Sequence, residues 1–311
     1  MTLIVDAHLH VWDATAAGKD PGPMAVGYSP QSSAPVELFQ EYMEEAGVAK
    51  AVFVQPWFYH WDNSYIASCL QRFPDRFRGV CVIDPRGPDA PAALRQCRGQ
   101  GYTGVRLRPL REGEHPSPGP WLATEETMPL WETIAETGTI ACVMHGKTEL
   151  ARLHPWLVRY PAMRVVIDHL NNPVPQDGLG QPIFRAFLEL ARFPNVFVKL
   201  SGFHHWCRER YPYRDGMPYV EAAVAAFGVI GVPVLPASSA ASHAMWLRSS
   251  VKPKSVMASS RARPSSVSGP GFERMWSGTA RLPMSCSRAA VFTACTSGSV
   301  IESARARLSE Y

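Results

Sequence analysis

Seven short apolar runs recur in the first 228 residues, about one every 30 residues, with amphipathic stretches between them. They are Leu3–Val5, Lys50–Gln55, Gly79–Ile83, Gly104–Leu107, Ile140–Met144, Arg164–Ile167 and Asn195–Leu200. Val and Ile dominate them, and their apolarity is continuous rather than alternating. That pattern marks strands buried on both faces, as in a parallel sheet covered by helices. Between the runs, Val36, Phe39 and Met43 keep one helical face, as do Ile66, Cys69, Leu70 and Phe73. Leu150, Leu153, Leu157 and Tyr160 keep another, and so do Phe184, Phe187, Leu188 and Ala191. Pro74, Pro161 and Pro194 stand just beyond three of these patterns and stop them. Helix after strand, with no Asn-Gly hairpin signal, predicts an α/β fold. The units fit either a doubly wound open sheet or a (β/α)8 TIM barrel whose eighth unit is degenerate or missing. No GxGxxG follows a strand and no GxxxxGK[ST] occurs, which removes support from nucleotide-binding open sheets.

The polar residues at the strand ends favour the barrel. The first run leads into Asp6-Ala7-His8-Leu9-His10, and residues two apart on a strand share a face. His8 and His10 together can approach one divalent metal from the same side. The fifth run ends in His145 and the sixth leads to Asp168-His169. Active sites of barrels lie at these carboxyl ends. Arg106 and Arg108 also share a face, and either grip a substrate carboxylate or form a salt bridge at the rim. Lys199 inside an apolar run is either a site residue or a side chain reaching outward. His60 follows strand 2 in an aromatic loop that either reaches a pocket or packs on the rim, and His204 and His205 follow strand 7 with their role left open. His115, His154 and His243 are assigned no role.

Composition divides the chain. Residues 1–228 carry a net charge of −3, residues 229–311 one of +7, and no Asp occurs after Asp215. The second part holds 18 of the 25 serines and has neither helical nor strand period. Residues 1–228 are therefore read as the barrel. Residues 229–311 are read as an atypical Ser/Arg-rich segment, poorly ordered, of the kind a reading-frame shift would produce. The positive charge is spread among serines rather than along a helical face, which speaks against a nucleic-acid arm. Residues 222–247 carry no formal charge, but Gly228, Gly231, Pro233 and Pro236 interrupt them, against a membrane span. The seven Cys are scattered with no CxxC pair, and the first residues, MTLIVDAHLH, lack a basic leader. Both point to the cytoplasm.

Asp6-Ala7-His8-Leu9-His10-Val11-Trp12 resembles the first-strand motif of the amidohydrolase-related (amidohydrolase 2) family. Val54-Gln55-Pro56, Trp61-Asp62-Asn63-Ser64-Tyr65, Phe73-Pro74-Asp75-Arg76-Phe77-Arg78-Gly79, Asp84-Pro85, Gly104-Val105-Arg106-Leu107 and Val166-Ile167-Asp168-His169-Leu170 resemble its TIM-barrel lactonase branch. That branch includes sugar-acid lactonases and the 2-pyrone-4,6-dicarboxylate lactonase. The resemblance implies a hydrolase that opens a small carboxylated lactone by metal-assisted attack of water. It implies a metal, zinc above all, on His8, His10 and His145, with His169 facing the water or substrate. Some members work with no metal. The chain departs from the family after Phe227-Gly228, where no Asp-bearing eighth strand follows. That leaves the general base unassigned and keeps two rivals open: a non-oxidative decarboxylase of an aromatic acid, and an inactive barrel. The expected partner is a small molecule, with neither nucleic acid nor membrane; a homo-oligomer is compatible with the sequence.

Overall fold

The computed structural model describes residues 4–13, 33–109 and 121–228 and the backbone of 290–292. Eight parallel strands lie in sequence order: β1 (Val5–Leu9), β2 (Lys50–Val54), β3 (Phe77–Val82), β4 (Tyr102–Leu107), β5 (Ile140–Val143), β6 (Val165–Ile167), β7 (Val196–Leu200) and β8 (Ala290–Phe292). Helices α1 (Val36–Ala46), α2 (Ser64–Arg72), α3 (Ala90–Gly99), α4 (Met128–Thr137), α5 (His154–Arg159), α6 (Pro182–Leu188), α7 (Phe203–Trp206) and α8 (Met217–Phe227) connect them. This is the strand order of a (β/α)8 barrel and not the reordered sheet of a doubly wound fold.

The sheet is curled. In a flat sheet, six spacings of about 4.8 Å would hold β1 and β7 roughly 29 Å apart. Instead Lys199 Nζ of β7 lies 3.0 Å from His8 Nδ1 of β1. Eight strands in the barrel order are reached through the short β8, which pairs Lys199 with Val291 and carries no Asp. Among the described residues no ladder joins β8 to β1. Residues 229–236, which follow Phe227-Gly228 where the sequence offers no Asp-bearing strand, lie outside the described residues. So does the rest of 229–311 apart from β8.

Alternate strand residues divide the interior. Phe53, Cys81, Val105, Val143 and Ile167 face the helices and join one large core with Ile66, Leu94, Trp131, Leu150 and Phe184. Val54, Val80 and Cys142 form a small cluster on the other face, inside the curl, with Val52, Ile140 and Val166 against it. Arg106 is in register with Cys142, and Cys142 with Val166. The inner face is therefore apolar below, and turns polar as the strands approach their carboxyl ends.

The sequence placed the strands well, with one shift that matters. The predicted first run stops at Val5, where β1 begins. Asp6 pairs with Ala51 but Leu9 with Phe53, so one extra residue bulges at Ala7–His8. Bulges re-aim side chains beside active sites. Four helices, α3, α4, α7 and α8, carried no assigned stripe. The Leu150–Tyr160 face is a 3-10 turn (Lys147–Leu153) running into α5, where Pro155 enters at the first turn.

Candidate active site

Six side chains meet at the carboxyl end of the curl. Asp168, just after β6, is fully buried and carries the only negative charge among them. Lys199 Nζ lies 2.9 Å from its Oδ1, and Arg106 Nε donates to its Oδ2 at 3.0 Å. Desolvation alone would raise this carboxyl, but the two cations hold it well below the usual carboxylate range. It stays ionised.

The three imidazoles surround this ion cluster. His8 and His10 stand edge to face with ring centres 5.1 Å apart, and His8 lies 4.8 Å from His169. Burial keeps His8 far below the ordinary imidazole range, and Lys199 and Arg106 add to that. Burial lowers His10 to about 4, with Arg106 adding to the fall. Burial also dominates the lowering of His169, where Arg106 and Lys199 oppose the pull of Asp168. All three are neutral at pH 7. Asp6, by contrast, is pushed up to about 7 by burial, although it accepts the His8 backbone N–H at 3.0 Å.

Neutral imidazoles have one donor and one acceptor nitrogen, and the partners fix which is which. His10 Nδ1 lies 2.7 Å from the Val54 carbonyl, which can only accept, so Nδ1 carries the hydrogen. Lys199 can only donate to His8 Nδ1, so the His8 hydrogen is on Nε2. Arg106 can only donate to His169 Nε2, at 3.3 Å, so His169 Nδ1–H donates to Ser201 Oγ at 2.7 Å.

Unusual backbone holds His169. Residues 169–172 all have positive φ, and His169 itself sits at φ 54°, ψ 42°. Such conformations cost on the order of 1 kcal/mol or more each and persist where surrounding contacts enforce them. Here buried Asn171 does so. Its Nδ2 donates to Lys147 O and Ile183 O, and its Oδ1 accepts Lys147 N–H at 2.7 Å. This ties the end of β6 to the end of β5, where His145 also has positive φ.

The sequence-predicted residues divide as follows. His8, His10, His169, Arg106 and Lys199 come together. Arg106 is engaged by Asp168 and His169, the salt-bridge alternative, although a guanidinium retains further donors. Arg108 is buried, packs its guanidinium 5.3 Å from the Trp61 ring centre and donates to Pro109 O. His205 on α7 reaches within 6.2 Å of the His169 ring. Asp168, Ser201, Gly202 and Asn171 were missed; Asp168 stood in a quoted motif and was passed over for its neighbour.

A metal fits this set by spacing but not by occupancy. Ligand atoms of His8, Asp168 and His169 lie within 4.8 Å of one another, a group that could hold an ion among the described residues. Of the three ligands that the resemblance implied, only His8 is in that group; His10 and His145 are outside it, and Asp168 and His169 complete it. Yet the lone pairs that an ion would need on His8 and His169 already accept from Lys199 and Arg106. Lys199 also neutralises Asp168. As arranged, the residues do not accommodate a divalent ion.

The curled barrel and its polar end define an enzyme of the amidohydrolase class, and the comparisons agree. The amidohydrolase family model matches residues 5–229, so the chain belongs to that family. It is 27% identical to an L-fucono-1,5-lactonase of Burkholderia ambifaria, over 73% of this chain and 77% of that protein. It is also 27% identical to a 4-sulfomuconolactone hydrolase of Hydrogenophaga intermedia, over 70% of this chain and 69% of that one. Among solved structures it resembles a protein from Pseudomonas putida described as a 2-pyrone-4,6-dicarboxylic acid hydrolase. There the identity is 28%, the TM-score 0.57, and the match covers 73% of this chain and 80% of that one. The chain is a hydrolase of this family. No helix among the described residues is long and apolar enough to cross a membrane.

Proposed function

We propose that the chain opens a small lactone bearing a carboxylate or similar anionic group. The observation that carries this is the charge balance of the cluster: two buried cations, Arg106 and Lys199, against one fully ionised carboxylate, Asp168, with Asp6 pushed up to about 7 and so only partly ionised at neutral pH. The surplus positive charge of these buried groups favours an anionic substrate and the oxyanion that forms when water attacks its carbonyl. Relatives named for a sugar-acid lactone, a sulfonated lactone and a pyrone dicarboxylate support the same class. In this reading Arg108, packed on Trp61, takes the substrate's carboxylate, and His169 lines the site beside the attacked carbonyl with both ring nitrogens engaged by Arg106 and Ser201. Zinc on His8, His10 and His145, as the sequence resemblance implied, would require Lys199 to release His8 Nδ1.

In this reading residues 1–228 carry the activity, and 229–311, of which β8 alone is described, are a segment of different origin. Translation of the other two frames downstream of codon 228 should give an Asp-bearing strand; its absence from both refutes that origin. Free cysteines at 69, 81, 97, 142 and 207 suit a reducing, cytoplasmic setting.

The test is a panel of matched lactones with and without a carboxylate, followed by proton release. The carboxylated members should turn over faster. Arg108→Met should raise their KM at least ~10-fold, the equivalent of one charged hydrogen bond. Equal rates on neutral and carboxylated lactones would overturn the substrate class.

A further inference from the structure

We infer that Lys199 and Arg106 hold the place of a catalytic metal in this chain, and that His10 takes the proton from the attacking water. The inference deepens the lactone-hydrolase proposal and rests on it. Lys199 bridges His8 Nδ1 at 3.0 Å and Asp168 Oδ1 at 2.9 Å, the position an ion shared by those two ligands would take. An ammonium and a divalent ion cannot share it. Arg106 closes the other side by bonding Asp168 Oδ2 and His169 Nε2.

The consequence is an ordered set of tautomers. His8 presents Nε2–H and His169 has its acceptor nitrogen engaged. Of the three, only His10 keeps its Nε2 lone pair without a hydrogen-bond partner among the described residues, because its Nδ1–H is spent on Val54 O. Of these three imidazoles, His10 is therefore the one with an acceptor nitrogen open to a proton. His8 Nε2–H is a donor that can meet a developing oxyanion.

The reaction balances on these groups. Water oxygen bonds to the lactone carbonyl carbon while one of its protons passes to His10 Nε2. The carbonyl π pair moves to oxygen, stabilised by His8 Nε2–H and the field of Lys199 and Arg106. As the carbonyl re-forms, the ring C–O bond breaks, and the leaving alkoxide receives the proton from His10. The products are a hydroxy acid, ionised at neutral pH, and the neutral enzyme. No strand-8 carboxylate is needed for these steps, and β8 carries none.

Three measurements on the full chain test this. Zinc titrated calorimetrically into chelator-treated protein should bind Lys199→Ala at least ~10-fold more tightly than the unaltered chain, because the lysine no longer competes. Equal or weaker binding by the variant refutes the displaced-metal assignment. Nitrogen-15 NMR of the unaltered chain should show His8 as the Nε2–H tautomer and His10 as the Nδ1–H tautomer, and the reverse pattern refutes it even if the variant fails to fold. His10→Gln should lower kcat at least ~100-fold with little change in KM, the low end for a lost general base; a retained kcat refutes the role of His10. The titration and the NMR do not read lactone turnover, so they stand or fall separately from the substrate proposal.

Discussion

Gly202 sits directly beneath His169, and replacing it with Ala measures how tightly the site is built. The glycine has φ +71°, and a Cβ there would lie 2.6 Å from His169 Cγ and 2.7 Å from Nδ1. Ordinary carbon contacts are about 3.5–4.0 Å, so the ring must move by about 1 Å. Two costs combine. An L-residue in left-handed geometry costs about 1 kcal/mol, and overpacking a tight site costs about 1–3 kcal/mol. Gly47, which ends α1 at φ +68° with nothing within 4 Å of its would-be Cβ, supplies the control. Gly47→Ala bears only the first cost. With about 2–4 °C per kcal/mol for an ordered unit of this size, Gly47→Ala should lower Tm by ~2–4 °C and Gly202→Ala by ~5–15 °C. Turnover should fall at least ~10-fold in Gly202→Ala, the rate equivalent of about 1.4 kcal/mol, and hold in Gly47→Ala. Thermal unfolding followed by circular dichroism, with parallel rate measurements, decides it. Equal shifts for both variants would refute the claim that Gly202 packs His169 into place.

Two further outcomes follow from buried polar groups. Asp6 has its folded pKa raised from an ordinary 3.8 to about 7, so its ionisation opposes folding. The penalty is absent below pH 4, grows between pH 4 and 7, and is complete above pH 7, reaching on the order of 4 kcal/mol at most. Asp6→Asn keeps an acceptor for the His8 N–H, so denaturant titrations should show it gaining stability at pH 8 and none at pH 4. A gain independent of pH would exclude this cause. Asn171→Ala strands the Lys147 backbone groups and should cost ~2–4 kcal/mol in urea unfolding, whereas a neutral result would show that the left-handed stretch is held by other contacts.

Most of the barrel was legible because continuous Val/Ile runs and helical stripes are local properties of a chain. β3, β4 and β7 fell within a few residues of their predicted places for that reason. The β1 bulge was not legible, since it depends on the register of Asp6 and Leu9 against β2. The imidazoles could be read from strand-end positions. Their tautomers could not, because each is set by a partner distant in sequence: Lys199 for His8, Val54 for His10, Arg106 for His169. Asp168 shows the same limit. Next to a histidine in a familiar motif it looked secondary, yet two cations from β4 and β7 converge on it. Lys199 was anomalous from the start as a charge within an apolar run, and only the curl of the sheet explains it, by carrying β7 round to β1.

Hydrolysis of a lactone at this polar end can be observed directly. Proton NMR of a carboxylated lactone incubated with the purified chain tests it most directly, beside Asp168→Asn, which removes the only charge that holds Lys199 and Arg106 together. The account predicts conversion to the ring-opened hydroxy acid with no loss of CO2, and a rate at least ~100-fold lower in the variant, equivalent to about 2.7 kcal/mol of lost transition-state stabilisation. Release of CO2 from an aromatic acid under the same conditions, or an unchanged rate in Asp168→Asn, would contradict it.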